Sequence, residues 1–214
     1  MRELKRRARV LLPDDGFSLT EVMVAIAVMG LLATATIGLY IAGQNSTQSQ
    51  QHREVAITVA NESMEQISIQ AVFIDGATGV SSILGGRFQS AVSSAWAANS
   101  TMSGMTATYP AWDPTATSAS TANVPIIRAV TLQGTKYTAT TLIGYCYQPK
   151  TGGDCTVLPS QATPPATTPS GFTKLLRVLV SVRWTAGNCS GDTCTYQSAT
   201  LIDINPDLEW NTHD

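Results

Sequence analysis

The stretch GFSLTEVMVAIAVMGLLATATIGLYIAG, residues 16–43, decides the fold of this 214-residue chain. It carries one carboxylate, Glu21, and then runs from Val22 to Gly43 without a charged side chain. An α-helix of that length covers roughly 33 Å, which is enough to cross a hydrocarbon core of about 30 Å. The stretch therefore predicts a membrane-spanning helix. A buried helix of a soluble protein is the disfavoured alternative, because soluble helices rarely stay uncharged for so long.

The positive charge of the chain is concentrated before this helix. Residues 1–16 contain five of the 13 Lys and Arg residues, and the chain after them has eight basic and twelve acidic residues. Cytoplasmic flanks of membrane helices are enriched in Lys and Arg, so residues 1–16 are expected in the cytoplasm and the C-terminal part on the far side. The acidic balance after the helix argues against nucleic-acid binding. The five basic residues are Arg2, Lys5, Arg6, Arg7 and Arg9.

The residues around Gly16 resemble the N-terminus of type IV pilins and the related pseudopilins. The shared pattern is a short basic leader that ends in Gly, then Phe-Ser-Leu-Thr-Glu, then some twenty apolar residues. The resemblance implies that a prepilin peptidase removes residues 1–16 by cleaving between Gly16 and Phe17, and that it N-methylates Phe17. A secretory signal fits less well, because its apolar part is about 7–15 residues long and is followed by the cleavage site.

Glu21 is an unusual residue at the start of an apolar helix. An ionised carboxylate within a membrane costs roughly 2.5–3.5 kcal/mol on insertion scales, so it normally has a partner. Cleavage after Gly16 would create one, the α-amino group of Phe17, in the same chain or in a neighbouring subunit. The resemblance implies the second arrangement, an assembly salt bridge between subunits. The alternative is that Glu21 lies among lipid headgroups and is hydrated.

Two glycines lie within the apolar run. Gly30 stands where pilins often have a glycine, and Gly38 stands where many major pilins have a proline. Glycine is about 1 kcal/mol less favourable than alanine inside a helix, so both positions are expected to loosen the helix. The resemblance implies that residues 17–43 serve first as a transmembrane helix and later as part of a filament core.

A helical pattern continues over residues 44–75. Small and apolar residues recur there at spacings of three and four, which predicts one helix from Phe17 to about Val72 with a core-facing stripe in its second half. His52 falls on the polar side, and the turn dipeptide Asp75-Gly76 marks the end of the helix. The stripe consists of Ala56, Ala60, Ser63 or Met64, Ile67 and Ala71.

Residues 76–125 are rich in Ala, Ser, Thr and Gly, a composition typical of surface loops. We therefore predict a loop region, in which Trp96 and Trp112 act as anchors. Asn45 and Asn99 each begin an Asn-Ser-Thr triplet that matches the N-glycosylation pattern, although that pattern often occurs by chance.

Residues 126–214 are predicted to form an antiparallel β-sheet domain. The runs 126–132 and 136–147 flank Gln133-Gly134, which predicts a tight hairpin. The four prolines within residues 156–171 require a loop. The next run, LLRVLVSVRW at 175–184, alternates between apolar residues and a face with Arg177, Ser181 and Arg183, as in a half-buried strand.

The last predicted strand covers residues 196–204 and pairs with the run at 175–184. A long N-terminal helix followed by an antiparallel sheet is an α+β arrangement. Pilins and pseudopilins share this order of elements, so the resemblance implies that the sheet packs on the second half of the helix.

The four cysteines all follow the membrane span and form two local pairs in the sequence, Cys146 with Cys155 and Cys189 with Cys194. Four cysteines allow three pairings. Local disulfides are favoured because each pair brackets a turn-rich loop. A zinc site is the competing interpretation, but only Cys189 and Cys194 have the usual spacing of zinc ligands.

Motifs of catalytic sites are absent from the sequence, including G-x-S-x-G, H-E-x-x-H and G-x-x-x-x-G-K. His52 and His213 are expected to be solvated. Asp203, Asp207 and Glu209 lack a recognisable spacing of cation ligands. We therefore predict a protein that is not an enzyme and has no cofactor or bound metal.

Three functions remain open on the sequence alone. The favoured one is a minor pilin or pseudopilin that helps to prime, cap or assemble a type IV pilus-like filament. Its expected partners are the prepilin peptidase, other pilin or pseudopilin subunits, a membrane assembly platform and, before assembly, the lipid bilayer. The second is an adhesin or DNA-uptake module carried by a filament. The third is a membrane-anchored extracytoplasmic enzyme or sensor that keeps its N-terminus.

Overall fold

The computed structural model describes residues 17–70, 82–187 and 189–204. Within them a long helix precedes an antiparallel sheet, which confirms the predicted α+β fold. Two short 3₁₀ turns accompany these elements, Ser82–Leu84 and Ser190–Asp192. In chain order the helices and strands are α1 (Leu19–Ser68), α2 (Gln89–Ala98), β1 (Tyr109–Pro110), β2 (Ile127–Leu132), β3 (Thr135–Pro149), β4 (Phe172–Thr185) and β5 (Thr193–Asp203).

The chain divides into two compact units, residues 1–48 and residues 49–214. In the first unit, every α1 residue from Leu19 to Gln48 is exposed, including its large apolar side chains. Helix α1 contains an 18-residue window with a mean hydropathy of 2.3, of which nothing is buried within the chain. It is therefore long and apolar enough to cross a membrane.

The sheet lies in the second unit and is antiparallel throughout. Strand β3 pairs with β1, β2 and β4, and β4 pairs with β5. Strands β2 and β3 are joined by the predicted two-residue hairpin, in which Gln133 and Gly134 both have positive φ, 50° and 78°. Two such residues match the right-handed twist of the flanking strands.

One face of the sheet packs against residues 49–68 of α1. The small side chains of Ala56 and Ala60 lie one turn apart and let the helix backbone approach the sheet closely. The hydroxyl of Ser63 is buried in the same row but donates to the Val59 carbonyl at 2.9 Å, so no hydrogen bond is lost. The apolar residues of this core include Val59, Ile67, Tyr137, Ile143, Leu176, Val178, Val180, Val182 and Trp184.

The opposite face of the sheet is also covered, and this differs from the predicted half-buried strand. Leu142 and Leu179 point to that side and pack against Ala95, Met102 and Met105, which come from α2 and the segment after it. The predicted loop region at 76–125 was therefore wrong in part, because it contains the ten-residue helix α2 and strand β1. Helix α2 and the segment after it, residues 89–110, form a second layer on this face of the sheet. Trp96 belongs to this second layer and packs at its margin.

Polar groups of β4 hold the second layer in place. Arg177 donates to the Gly104 carbonyl at 3.1 Å and to the Thr108 hydroxyl at 2.9 Å. Arg183 donates to the side-chain oxygen of Asn99 at 2.8 Å. The alternating pattern predicts both arginines on the solvent-facing side of the strand. Instead they satisfy polar groups of the covering segment, which could not fold over the sheet with unpaired carbonyls.

A buried arginine ties the start of the second layer to the sheet. Arg87 is fully buried and donates to the carbonyls of Val124 at 2.9 Å and Thr141 at 2.6 Å. Burial lowers the pKa of Arg87 to about 10, because the apolar surroundings disfavour its charged form. The two hydrogen bonds hold three segments together at one point: the segment of Arg87, the segment of Val124 and strand β3.

Candidate processing and assembly segment

The first turn of α1 is closed by Ser18. The backbone N–H of Glu21 donates to the Ser18 hydroxyl oxygen at 3.2 Å and to the Ser18 carbonyl at 3.0 Å. Serine is a preferred N-cap because its side chain satisfies one of the four N–H groups that have no partner within the helix. The helix therefore begins at Leu19 with its own cap, and Phe17 lies just outside it with 82% of its surface exposed.

Ser18 and Glu21 together have the spacing of a capping box. In this motif a Ser at the N-cap is followed three positions later by a Glu, as in Ser18-Leu19-Thr20-Glu21. Ser18 was not predicted as a cap, although the S-x-x-E pattern before an apolar run was the available signal. The cap uses the backbone of Glu21, and the Glu21 carboxylate makes no hydrogen bond or ion pair within the described residues.

The position of Glu21 also favours its negative charge. It lies in the first turn of α1, where the partial positive charge of the helix N-terminus stabilises a carboxylate by typically 0.3–1 kcal/mol. Phe17, which is predicted to carry the new amino group, directly precedes the cap. Gly16, the other predicted cleavage residue, lies outside the described residues.

Helix α1 runs through both glycines without a break. A Cβ atom built at Gly30 or Gly38 would have no other atom within 4 Å apart from neighbouring helix backbone. Space inside the chain therefore does not require glycine at either position. Their predicted role in loosening the helix stays a prediction.

The four cysteines form two disulfides in the structure. Cys146 and Cys155 have Cα atoms 5.4 Å apart, and Cys189 and Cys194 have Cα atoms 5.2 Å apart. Both distances lie in the ordinary range for a disulfide. Since each sulfur is bonded to another, no thiolate is left to bind zinc. Among the described residues, no cluster of three or more His, Cys, Asp or Glu residues could hold a metal.

His52 does not lie in solvent as expected. It is half-buried, and its Nδ1 lies 2.8 Å from the hydroxyl of the fully buried Tyr137 on β3. This contact joins α1 to the sheet. The predicted stripe of α1 is confirmed at Ala56, Ala60, Ser63 and Ile67, whereas Ala71 lies outside the described residues. A histidine at the border of such a stripe can lay its ring over the core while one ring nitrogen keeps a polar contact.

Other predicted positions lie at or beyond the described ends. Asp203 is the last residue of β5 and is exposed. Asp207, Glu209 and His213 lie outside the described residues, as does the predicted turn at Asp75-Gly76.

Comparison with known families identifies the N-terminal segment. The family model of the prokaryotic N-terminal methylation motif matches residues 14–37, which include Phe17, the Ser18 cap and Glu21. Comparisons with curated proteins and with solved structures found no match. The matched segment is the class III signal of prepilin-peptidase substrates. Together with the long helix and the antiparallel sheet that follows it, the motif supports a type IV pilin-like protein.

Proposed function

We propose that the chain is a structural subunit of a type IV pilus-like filament, in the role of a minor pilin or pseudopilin. The observation that carries the proposal is the methylation motif at 14–37, which stands directly at the start of an exposed, apolar helix. A subunit of this kind contributes packing surfaces rather than catalysis.

The first step of the proposed function is processing. A prepilin peptidase cleaves between Gly16 and Phe17 at the cytoplasmic side and methylates the new amino group of Phe17. The Ser18 cap supports this order of events, because the helix keeps its first-turn hydrogen bonds when residues 1–16 are gone. The basic leader keeps the scissile bond in the cytoplasm until then.

The second step is assembly through α1. In the bilayer the exposed apolar residues of α1 contact lipid, and in the filament they contact the helices of other subunits. The Glu21 carboxylate, which has no partner within the described residues, then pairs with the Phe17 amino group of a neighbouring subunit. A charge in an apolar environment is costly unless it is paired, so this contact selects one register between neighbouring helices.

The two disulfides support an extracytoplasmic location for the second unit, residues 49–214, which we call the outer domain. Both pairs follow the membrane helix, and disulfides persist in oxidising compartments outside the cytoplasm. We therefore place the second unit on the extracytoplasmic side, first at the cytoplasmic membrane and later on the filament.

Processing is tested by co-expressing the full chain with a prepilin peptidase and determining the N-terminus by mass spectrometry. The expected product starts at methylated Phe17. In the variant Gly16→Val the larger side chain next to the scissile bond should block cleavage, whereas Gly30→Ala should be cleaved normally. An intact Met1, or a cut elsewhere than after Gly16, would refute the proposed function.

Assembly is tested separately with Glu21→Val. This variant should be cleaved and inserted like the wild type but should be absent from sheared filaments, because the amino group of the neighbour loses its counterion. The matched control is Glu54→Val, which removes an exposed carboxylate of the same helix that has no ion pair. Normal incorporation of Glu21→Val would remove the salt bridge from the proposal while leaving processing untouched.

A further inference from the structure

The proline-rich connection between β3 and β4 displays a group of exposed hydroxyl side chains. We call residues 159–171, PSQATPPATTPSG, the hydroxyl loop. All five of its Ser and Thr residues are exposed, and none of their side chains forms a hydrogen bond in the structure. They are Ser160, Thr163, Thr167, Thr168 and Ser170.

The hydroxyl loop is fixed at both ends. At its start the Tyr109 hydroxyl donates to the Gln161 carbonyl at 2.9 Å and accepts from the Leu158 N–H at 3.0 Å. At its end the Lys150 N–H donates to the Gly171 carbonyl at 2.8 Å. Pro164, Pro165 and Pro169 are half-buried, whereas the residues between them are exposed. The prolines therefore rest on the domain and turn the hydroxyl groups outward.

Charge is absent from this segment. No charged residue occurs from Thr156 to Gly171, although the flanking chain carries Asp154 and Lys174. Beside the hydroxyl loop lies an open cavity of about 540 Å³ that Thr168 and Ser170 line together with Lys150 and Lys174. A polar, uncharged group attached to Thr168 would have room to lie in this cavity.

The sequence also contains two N-glycosylation triplets, and the structure contradicts modification at one of them. Asn99 is only 3% exposed, its amide donates to the Ala95 carbonyl at 2.7 Å, and its oxygen accepts from Arg183. The amide nitrogen is therefore not accessible to a modifying enzyme. The other triplet starts at Asn45 on α1, where the Thr47 hydroxyl is already bonded to the Gly43 carbonyl.

We propose that the hydroxyl loop is a site of O-linked glycosylation, centred on Thr163, Thr167 and Thr168. Exposed Ser and Thr residues among prolines, without charge, are the composition of O-glycosylated segments. The co-substrate is an activated sugar, a glycosyl phosphate donor, used by a separate transferase. A threonine oxygen forms a bond to the anomeric carbon, and the bond from that carbon to the phosphate oxygen breaks. The phosphate leaves with the bonding electrons, and the hydroxyl proton passes to a base of the transferase.

The proposal is tested on the full mature chain purified from its native host. Intact-mass measurement should give more than the mass of residues 17–214 with two disulfides and one methyl group. Peptide fragmentation that preserves O-linked groups should place the excess, as sugar, on the hydroxyl loop. A mass without excess would overturn the proposal, as would sugar found only outside the loop or phosphate in place of sugar.

A variant pair provides the control. In the first variant Thr163, Thr167 and Thr168 become Val and Ser160 and Ser170 become Ala, and the excess mass should disappear. In the second, the exposed Thr193 and Thr195 of β5 become Val, and the excess should persist. Processing at Phe17 is read from the same spectra, so failure of the glycosylation proposal is distinguishable from failure of the proposed function.

Discussion

Replacing Gly144 by alanine tests the second layer, the part of the fold that was least expected from the sequence. Gly144 lies on β3, opposite Pro110 of β1 and on the face that α2 covers. A Cβ atom built there would overlap the carbonyl oxygen of Tyr109, and it would lie 2.5 Å from Thr108 Cγ2 and 2.9 Å from Trp96 Cη2. Real Cβ atoms are not found at such distances, so something must move.

The expected cost follows from which atoms must move. Trp96 can shift, but the Tyr109 carbonyl belongs to the backbone that pairs with β3. Overpacking of a core costs typically 1–3 kcal/mol, and a backbone contact belongs at the upper end of that range. We therefore expect Gly144→Ala to lower the free energy of unfolding by about 3 kcal/mol. For a chain of this size that corresponds to a melting temperature lower by about 6–12 °C.

The assay is thermal unfolding of the full chain in detergent, followed by tryptophan fluorescence. The matched control is Gly187→Ala, since a Cβ atom at Gly187 would have no atom within 4 Å, and its melting temperature should stay close to that of the wild type. Limited proteolysis should cut Gly144→Ala between residues 89 and 110 faster than the control. Equal stability of the two variants would show that residues 89–110 do not pack on β3 as described.

Three further predictions concern contacts of the outer domain. Converting Cys146 and Cys155 to Ser should cost about 2.6 kcal/mol and converting Cys189 and Cys194 to Ser about 2.1 kcal/mol, because the first pair closes the longer loop. Denaturant unfolding of both variants checks the order. Tyr137→Phe should cost about 0.5–1.5 kcal/mol, measured in the same way, by removing the contact with His52. Asp113→Asn should reduce the loss of stability on acidification, measured as the difference in melting temperature between pH 7 and pH 3.

The sign of the Asp113 effect follows from its surroundings. Burial raises the pKa of this carboxyl, but hydrogen bonds from Thr115 and Gly86 outweigh the burial and leave the pKa below its usual value. The folded state therefore binds the proton less readily than the unfolded state. Its contribution to stability is complete above the unfolded pKa near 3.9 and is lost as the pH falls below it. A larger acid sensitivity in Asp113→Asn than in the wild type would contradict this assignment.

The order of the elements was predictable because their signals are local. An uncharged run of 22 residues, a stripe at helical spacing and an alternating strand each occupy one continuous segment. The hairpin at Gln133-Gly134 was equally local. These patterns predict only the side of the sheet that faces α1, where the even-numbered residues of β4 from Leu176 to Trp184 pack.

The second layer was not predictable because its signals are distributed. Helix α2, with the sequence QSAVSSAWAA, buries only Val92 and Ala95. Two buried residues are too few to form the long apolar stripe from which an amphipathic helix is predicted. Arginines at 177 and 183 were assigned to solvent because arginine is usually exposed. Their partners in the second layer, Gly104, Thr108 and Asn99, lie 69–84 positions earlier in the chain, and no periodicity within one strand could reveal them.

In the N-terminal segment the sequence predicted the positions of the charge and of the cleavage, but not the cap that Ser18 provides. A free amino group created at Phe17 would lie beside the N-terminus of α1, whose partial positive charge opposes it. The uncut chain avoids this conflict, and cleavage after Gly16 would create it. Ser18 keeps the first turn closed during the change, so the cost is electrostatic and not a loss of helix. A carboxylate in the same turn of a neighbouring subunit would offset that cost when two helices align, and this is the physical reason that we propose for Glu21 to act between subunits.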